Sequence, residues 1–350
     1  MQYGGEDRGV ARILILGGTS FLGPHVVRGV VRRGHAVCIF HRGESEPDLP
    51  ASVRHIHGAF ESFQEHLEEL RAFAPDVVVD TVPYRDKSGL GVAHFAGVAQ
   101  RGVVVTSGDV YRAFARVWGS EPGAPDEVPL TEESPLRAKP SPDLTDEIDY
   151  DNVEVERMVA RSGLLTTVLR APIIFGPHDP LHRLYRYLKR MDDNRPAIIL
   201  DSRLADWRFS RSYVQNVGDA VALAATTLAA GGKTYNVGPS RTLTEREWIS
   251  AVARAHGWNG EVIATPPDLL PEQLHAPFNT EQHLVLDSSR IRRELSYSED
   301  VPLEDALALT IEWERANPPV GVPAFDYEVE DELFSDLTTK TDRSLFPPAR

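Results

Sequence analysis

The sequence predicts an α/β fold built on a doubly wound parallel sheet, and three observations carry that expectation. Short β-branched runs alternate with amphipathic segments through the first 176 residues. Two of the runs, 76–82 (DVVVDTV) and 102–107 (GVVVTS), are apolar almost without interruption, as strands covered by helices on both faces must be. A glycine-rich turn at 17–23 lies directly between the first such run and the first helical segment.

Residues 12–16 (RILIL) read as a buried first strand that stops at Gly17. Residues 24–33 read as a helix, with Pro24 in the first turn, where a missing N–H costs nothing, and Gly34 just past the end. Residues 35–40 and 53–57 supply the second and third strands. The spacing of Phe63, Leu67, Leu70 and Phe73 predicts a helix over 61–73. A further helix is expected over 88–100, between the two central strands. Residues 119–148 are rich in Pro, Glu and Asp and read as a long surface loop. A helix over 149–162 and a strand over 166–175 follow. Beyond Gly176 the rhythm loosens into helices at 181–193, 243–257 and 303–316 and a short strand at 234–238. From Pro318 the chain is acidic and proline-bearing, which fits either a disordered tail or one draped over the body.

Composition narrows the function. With 350 residues and a net charge of −15, the chain is a poor partner for nucleic acid or an anionic membrane surface. Its one cysteine, Cys38, allows no internal disulfide and fits a reducing compartment. The first twelve residues carry no apolar signal-peptide core, and no run of about 18 apolar residues exists. A soluble, cytoplasmic protein is expected.

The turn Gly17-Gly18-Thr19-Ser20-Phe21-Leu22-Gly23 has the setting of a dinucleotide-binding loop. Such a turn needs positive φ or close backbone approach, and the helix behind it offers free N–H groups to a pyrophosphate. Gly17 would make the turn and Gly23 would let helix meet strand, while Ser20 takes the middle glycine's place. At the end of the second strand stand His41 and Arg42, with no acid before Glu44. An arginine there suits a 2′-phosphate, so NADP is expected, with NAD as the alternative. Thr81 and Val82 should pass near the same ligand at the carboxyl end of the fourth strand.

These motifs, with VVVTSGDVY (103–111), the Tyr150 helix, LRAPIIFGP (169–177), YVQNVGDAV (213–221) and YNVG (235–238), resemble the extended short-chain dehydrogenase/reductase superfamily, in its NAD-dependent epimerase/dehydratase branch. The resemblance covers roughly residues 12–316. It implies a Rossmann domain over 12–176, with returns near 213–242 and 283–290. A smaller substrate lobe would lie mainly within 177–316, before an acidic tail over 317–350. It also implies a small-molecule substrate, is compatible with a homodimer, and brings Pro172 to the cofactor.

In that family a hydroxyl residue after the fifth strand and a Y-x-x-x-K helix carry the chemistry. Here the hydroxyl position falls on Ser107, the tyrosine on Tyr150 and the lysine on Glu154. A carboxylate at Glu154 can accept hydrogen bonds from ribose hydroxyls but cannot stabilise a tyrosinate, and raises the tyrosine pKa instead. Lys139 is the only lysine in the loop before Tyr150. Dehydratases of the family follow the hydroxyl residue with Asp and Glu. Here the run is Ser107-Gly108-Asp109, which makes Asp109 a candidate base. An Asx-type turn is its bland alternative.

Two look-alikes are set aside. Tyr185 and Lys189 match Y-x-x-x-K literally, but Tyr185 and Tyr187 read as packing or pocket-wall residues. His178, Asp179 and His182 have metal-like spacing without a supporting thiolate or further histidine motif, so no metal is expected. In the stretch 201–216, Arg203, Arg208 and Arg211 accompany Trp207 and Tyr213. Arg208, Arg211 and Tyr213 are the candidate substrate contacts, suited to an anionic group. The function expected is an NAD(P)-dependent epimerase, dehydratase or reductase acting on a small polar or sugar-like carbonyl or alcohol. A non-redox isomerase or cyclase, or a cofactor-sensing protein on the same fold, is the alternative.

Overall fold

A computed structural model describes residues 9–82, 91–138 and 151–340. The chain opens with β1 (Arg12–Leu16), α1 (Gly23–Arg32), β2 (Ala36–His41), β3 (Arg54–His57), α2 (Phe63–Ala72), β4 (Val77–Asp80) and β5 (Arg101–Ser107). After α3 (Arg112–Val117), α4 (Asn152–Arg161) leads into β6 (Leu165–Ala171) and β7 (Ile173–Phe175). The rest runs through α5 (Tyr185–Asp192), β8 (Ala197–Asp201), α6 (Ser202–Ala205), β9 (Arg211–Tyr213), α7 (Val214–Thr226) and β10 (Thr234–Asn236). It closes with α8 (Glu245–His256), β11 (Glu261–Thr265), α9 (Ser289–Leu295), α10 (Leu303–Ala316) and α11 (Glu328–Lys340).

Seven strands form one parallel sheet in the order β3-β2-β1-β4-β5-β6-β10. The strand order reverses between β1 and β4, which opens a crevice at their carboxyl ends. Strict alternation divides each strand between two cores. Ile13, Ile15, Val37, Ile39, Val79 and Val103 face α1 and α7, while Leu14, Leu16, Cys38, Phe40, Val78 and Val104 face α2 and α4. Both faces are therefore apolar, which is why the central strands read as unbroken hydrophobic runs. Helices α1 and α7 meet at small residues: a Cβ on Gly29 would lie 2.8 Å from that of Ala222.

Two expectations change, and an open one closes. The strand expected over 166–175 is two strands, because Pro172 has no N–H for the ladder; β6 stays in the main sheet, whereas β7 leaves it and pairs with β9. In place of the helix expected over 88–100, the described residues form a short 3-10 turn at Gly91–Phe95. Gly97, at φ +80°, ends it. The acidic tail is draped over the body: α11 places Leu333 with Ala197, Ile199 and Leu270, and Glu330 meets Arg190 at 2.5 Å. Residues 341–350 lie outside the described residues.

The anchoring of α11 is measurable. Leu333→Ala should cost about 2 kcal/mol in denaturant unfolding through loss of buried apolar contact, and an unchanged midpoint would show that α11 rests on the surface without holding it.

Candidate active site

The glycine turn is built by contact rather than by flexibility. Gly17 sits at φ +88°, and its N–H donates to the Phe40 carbonyl at 3.0 Å. The Thr81 hydroxyl lies 2.9 Å from the Leu16 carbonyl and 3.0 Å from that of Gly17 and clamps the turn to β4. A Cβ on Gly23 would fall 2.3 Å from the Gly17 carbonyl oxygen, so only glycine lets the first turn of α1 meet the end of β1. No side chain caps α1, and Pro24 lies in its first turn. The helix start therefore faces the crevice with its own N–H dipoles, which suits a pyrophosphate. These features fit a nicotinamide dinucleotide.

The turn opens into a cavity of about 1200 Å³. Of the sequence-predicted residues it brings together Gly17, Thr19, Ser20, Phe21, Leu22, Thr81, Ser107, Asp109 and Pro172 in one wall. Gly23 lies just behind that wall. Apolar side chains close one end, Phe114, Trp118, Leu284 and Leu286 among them, while Arg28, His178 and Arg183 line another part.

Ser107 ends β5, and its Oγ accepts the Asp109 N–H at 3.2 Å, so its own proton is free to donate. The turn is therefore capped by Ser107 and not by an Asx contact of Asp109, whose side chain lines the cavity. Asn152 Nδ2 donates to both Asp109 oxygens at 2.9 Å. Behind them Arg137, whose side chain is fully buried, forks onto Asp151 at 2.9 and 3.1 Å, stands 3.8 Å from Asp109 Oδ1 and bonds its main-chain carbonyl. Burial lifts the Asp109 carboxyl to about 6, while Asn152 and Arg137 pull it down.

Sequence reasoning missed Asn152 and Arg137. Asn152 had a signal, since it opens the predicted helix; Arg137 lay in a loop that reads as surface, and nothing local marks it for burial.

Other predicted residues fall elsewhere. Tyr150 and Lys139 lie outside the described residues. Glu154 is exposed, pairs with Arg157 at 3.3 Å and is not part of the cavity wall, because α4 turns that position to solvent. Arg42 is exposed and pairs with Glu44 at 2.8 Å away from the wall, and His41 is buried behind it. Ser45 and Glu46 line the wall there instead. Arg208 is exposed and lines neither cavity. Arg211 and Tyr213 line a separate cavity of about 340 Å³, where Arg211 pairs with the buried Glu245 and lies over the Trp248 ring. Tyr187 is buried against Glu245, Tyr185 packs on Phe325, and His182 bonds Glu314 at 2.7 Å.

No family model matches the chain. It is 26% identical over 186 residues to a dTDP-glucose 4,6-dehydratase from Streptomyces griseus, and the match spans 52% of each protein, about half the length of that relative. It is 25% identical over 271 residues to a 2-alkyl-3-oxoalkanoate reductase from Stenotrophomonas maltophilia, 70% of this chain and 76% of the other. Among solved structures, a UDP-glucose 4-epimerase from Thermus thermophilus in complex with NAD superposes with a TM-score of 0.60 at 22% identity, over 87% of this chain and 99% of that one. In sequence the chain is similar to this dehydratase and this reductase, and in fold to the epimerase. The fold expected from sequence is the one this solved structure has.

Two outcomes follow from this geometry. Gly23→Ala should cost about 2 kcal/mol or more, because the displaced atom is backbone, and should weaken dinucleotide binding in a fluorescence titration. A carboxyl whose folded pKa lies above its unfolded value keeps its proton longer in the folded chain. For Asp109, stability should therefore be fully present near pH 4 and fall as pH rises through about 6. Asp109→Asn should remove on the order of 2 kcal/mol of that slope in denaturant melts between pH 4.5 and 7.5.

Proposed function

We propose that this chain is a nicotinamide-dinucleotide-dependent enzyme of the epimerase, dehydratase or reductase type, acting at the carbonyl or alcohol carbon of a small polar or sugar-like molecule. One observation carries the reading: the glycine turn and the pair Ser107 and Asp109 open into the same cavity. The turn 17–23 and Thr81 would hold the dinucleotide, and the nicotinamide supplies hydride transfer when bound. Ser107, with its proton free, would donate to the substrate oxygen. Asp109, poised near neutrality by burial, would accept or return a proton at the adjacent position. Asn152 and Arg137 orient it. Tyr150 would be the acid on the substrate hydroxyl, as in the family the chain resembles. Glu154 is turned to solvent beside Arg157, so it neither replaces the family's lysine nor reaches the cavity.

For the cofactor we infer NAD. The expectation of NADP rested on Arg42, which is neutralised by Glu44, whereas Glu46 lines the wall and suits ribose hydroxyls. The relative from Thermus is in complex with NAD. The NADP reading keeps one support, Arg28, which lines the cavity and bonds the Asp48 carbonyl rather than a carboxylate. The same arginine supports an anionic group on the substrate. Among the described residues no helix is long and apolar enough to cross a membrane. The buried single cysteine suits a reducing cytoplasm.

A second reading is a protein that keeps the dinucleotide without net turnover, or a non-redox isomerase, and it is favoured by Glu154 in place of lysine.

Titration with NAD and NADP separates these. NAD should bind at least about tenfold tighter, a difference of about 1.4 kcal/mol; binding of neither would sink the proposal. With a substrate found from a carbonyl and alcohol panel, Asp109→Asn should lower kcat by about 10²-fold or more and remove a limb near pH 6 from the rate profile. Full activity in that variant would return the chemistry to Tyr150 alone.

A further inference from the structure

Beside the cavity, three imidazoles converge with Glu46 of its wall at the outer edge of the main sheet. His41 ends β2, and His55 and His57 lie on β3, the edge strand. Residues 55 and 57 share one side of their strand, and the register sets His41 beside His57. All three rings therefore stand on the same face. Their centroids lie 4.5 Å apart for His41 and His57 and 5.1 Å for His41 and His55. Glu46 folds back from the loop after β2 and reaches His57 Nε2 at 2.9 Å. One donor atom from each of the four lies within 4.8 Å of every other.

We propose that His41, His55, His57 and Glu46 form a binding site for a divalent transition metal of borderline softness, such as Zn²⁺. Three imidazole nitrogens and one carboxylate oxygen are a ligand set of that class. Ligand atoms around tetrahedral zinc sit about 3.3 Å apart, given bonds of about 2.0–2.1 Å. Two pairs here are already at 3.0 and 2.9 Å, so the site forms by closing the two halves on each other.

In the metal-free chain the Gly43 N–H donates to His41 Nδ1 at 3.2 Å, which leaves the His41 proton on Nε2, facing His55 Nδ1 at 3.0 Å. A metal takes the place of that shared proton. The proton moves to Nδ1, and Gly43, exposed and at φ +79°, turns its N–H aside. The nearest charged neighbours in the loop, Arg42 and Glu44, are paired with each other and leave the carboxylate of Glu46 available.

The test uses the untagged full chain, stripped with chelator and titrated with ZnCl₂ by calorimetry. One ion per chain is expected. Co²⁺ should give visible absorption bands of tetrahedral intensity. His55→Asn combined with His57→Asn should weaken Zn²⁺ binding well over tenfold, and Glu46→Gln should weaken it less. Thermal melts of the variants, whose altered residues lie at a partly exposed edge, check that they fold. Absence of stoichiometric binding in the wild type, or an unchanged affinity in the folded double variant, would overturn the proposal. Glu46 also lines the cavity, so the titration is run without dinucleotide, and neither outcome then depends on whether the chain binds one.

Discussion

Between the Gly17 carbonyl and the first turn of α1 there is no room for a side chain, and the architecture of the crevice depends on that contact. A Cβ at Gly23 would stand 2.3 Å from the carbonyl oxygen. With hydrogen there instead, α1 seats directly on the end of β1 and crosses toward α7. The helix start then points its uncapped N–H groups into the space where strand order reverses. Thr81 fixes the far side of the same turn from β4. A bulkier residue would lift α1 away from the sheet, and the cavity would lose one wall.

The opposite wall is governed by electrostatics. Arg137 is buried between Asp109 and Asp151, with a guanidinium that no solvent reaches. A buried cation is tolerable only when its hydrogen bonds are filled, and here they tie the loop before it to the start of α4. Asp151 takes the bidentate fork and Asp109 the weaker, longer contact. This unequal sharing leaves Asp109 with the weaker ion pair in a desolvated place, which raises its pKa. A fully paired carboxylate would be a spectator; an unpaired one would be too costly to keep there. The arrangement supports a carboxylate doing proton work where the usual tyrosine and lysine pair is broken. A second buried network, in which Arg170 forks onto Glu156 and bonds Tyr111, holds the carboxyl ends of β5 and β6 beside Ser107.

Much of the fold was legible because the main sheet is buried on both faces. The runs 76–82 and 102–107 could hardly be anything but central strands, and helix α10 spans the residues its spacing predicts. The glycine turn was legible because its requirement is local: positive φ at Gly17 and close approach at Gly23 concern a few neighbouring residues. The misreadings have nonlocal causes. Pro172 looks like an interruption within one strand until β9 arrives to pair with β7. The tail shows no strong apolar face, so its helix is visible only through the arginines and the apolar cluster of β8 that receive it.

By itself the sequence determined the alternation of strands and helices, the position of the glycine turn, and that a hydroxyl and a carboxylate, Ser107 and Asp109, follow the fifth strand. Each is a matter of residue type and spacing along a few turns of chain. Which charges face the cavity was decided only by the tertiary structure. Arg42 turned to Glu44 and Arg211 to Glu245, while Glu154 turned to solvent; Arg137 was drawn inside. A charged side chain takes the partner that folding brings within reach, and in a chain this rich in both signs its neighbours in sequence do not name that partner. The convergence of His41, His55 and His57 has the same origin, since only strand register sets one strand's histidine beside those of the next.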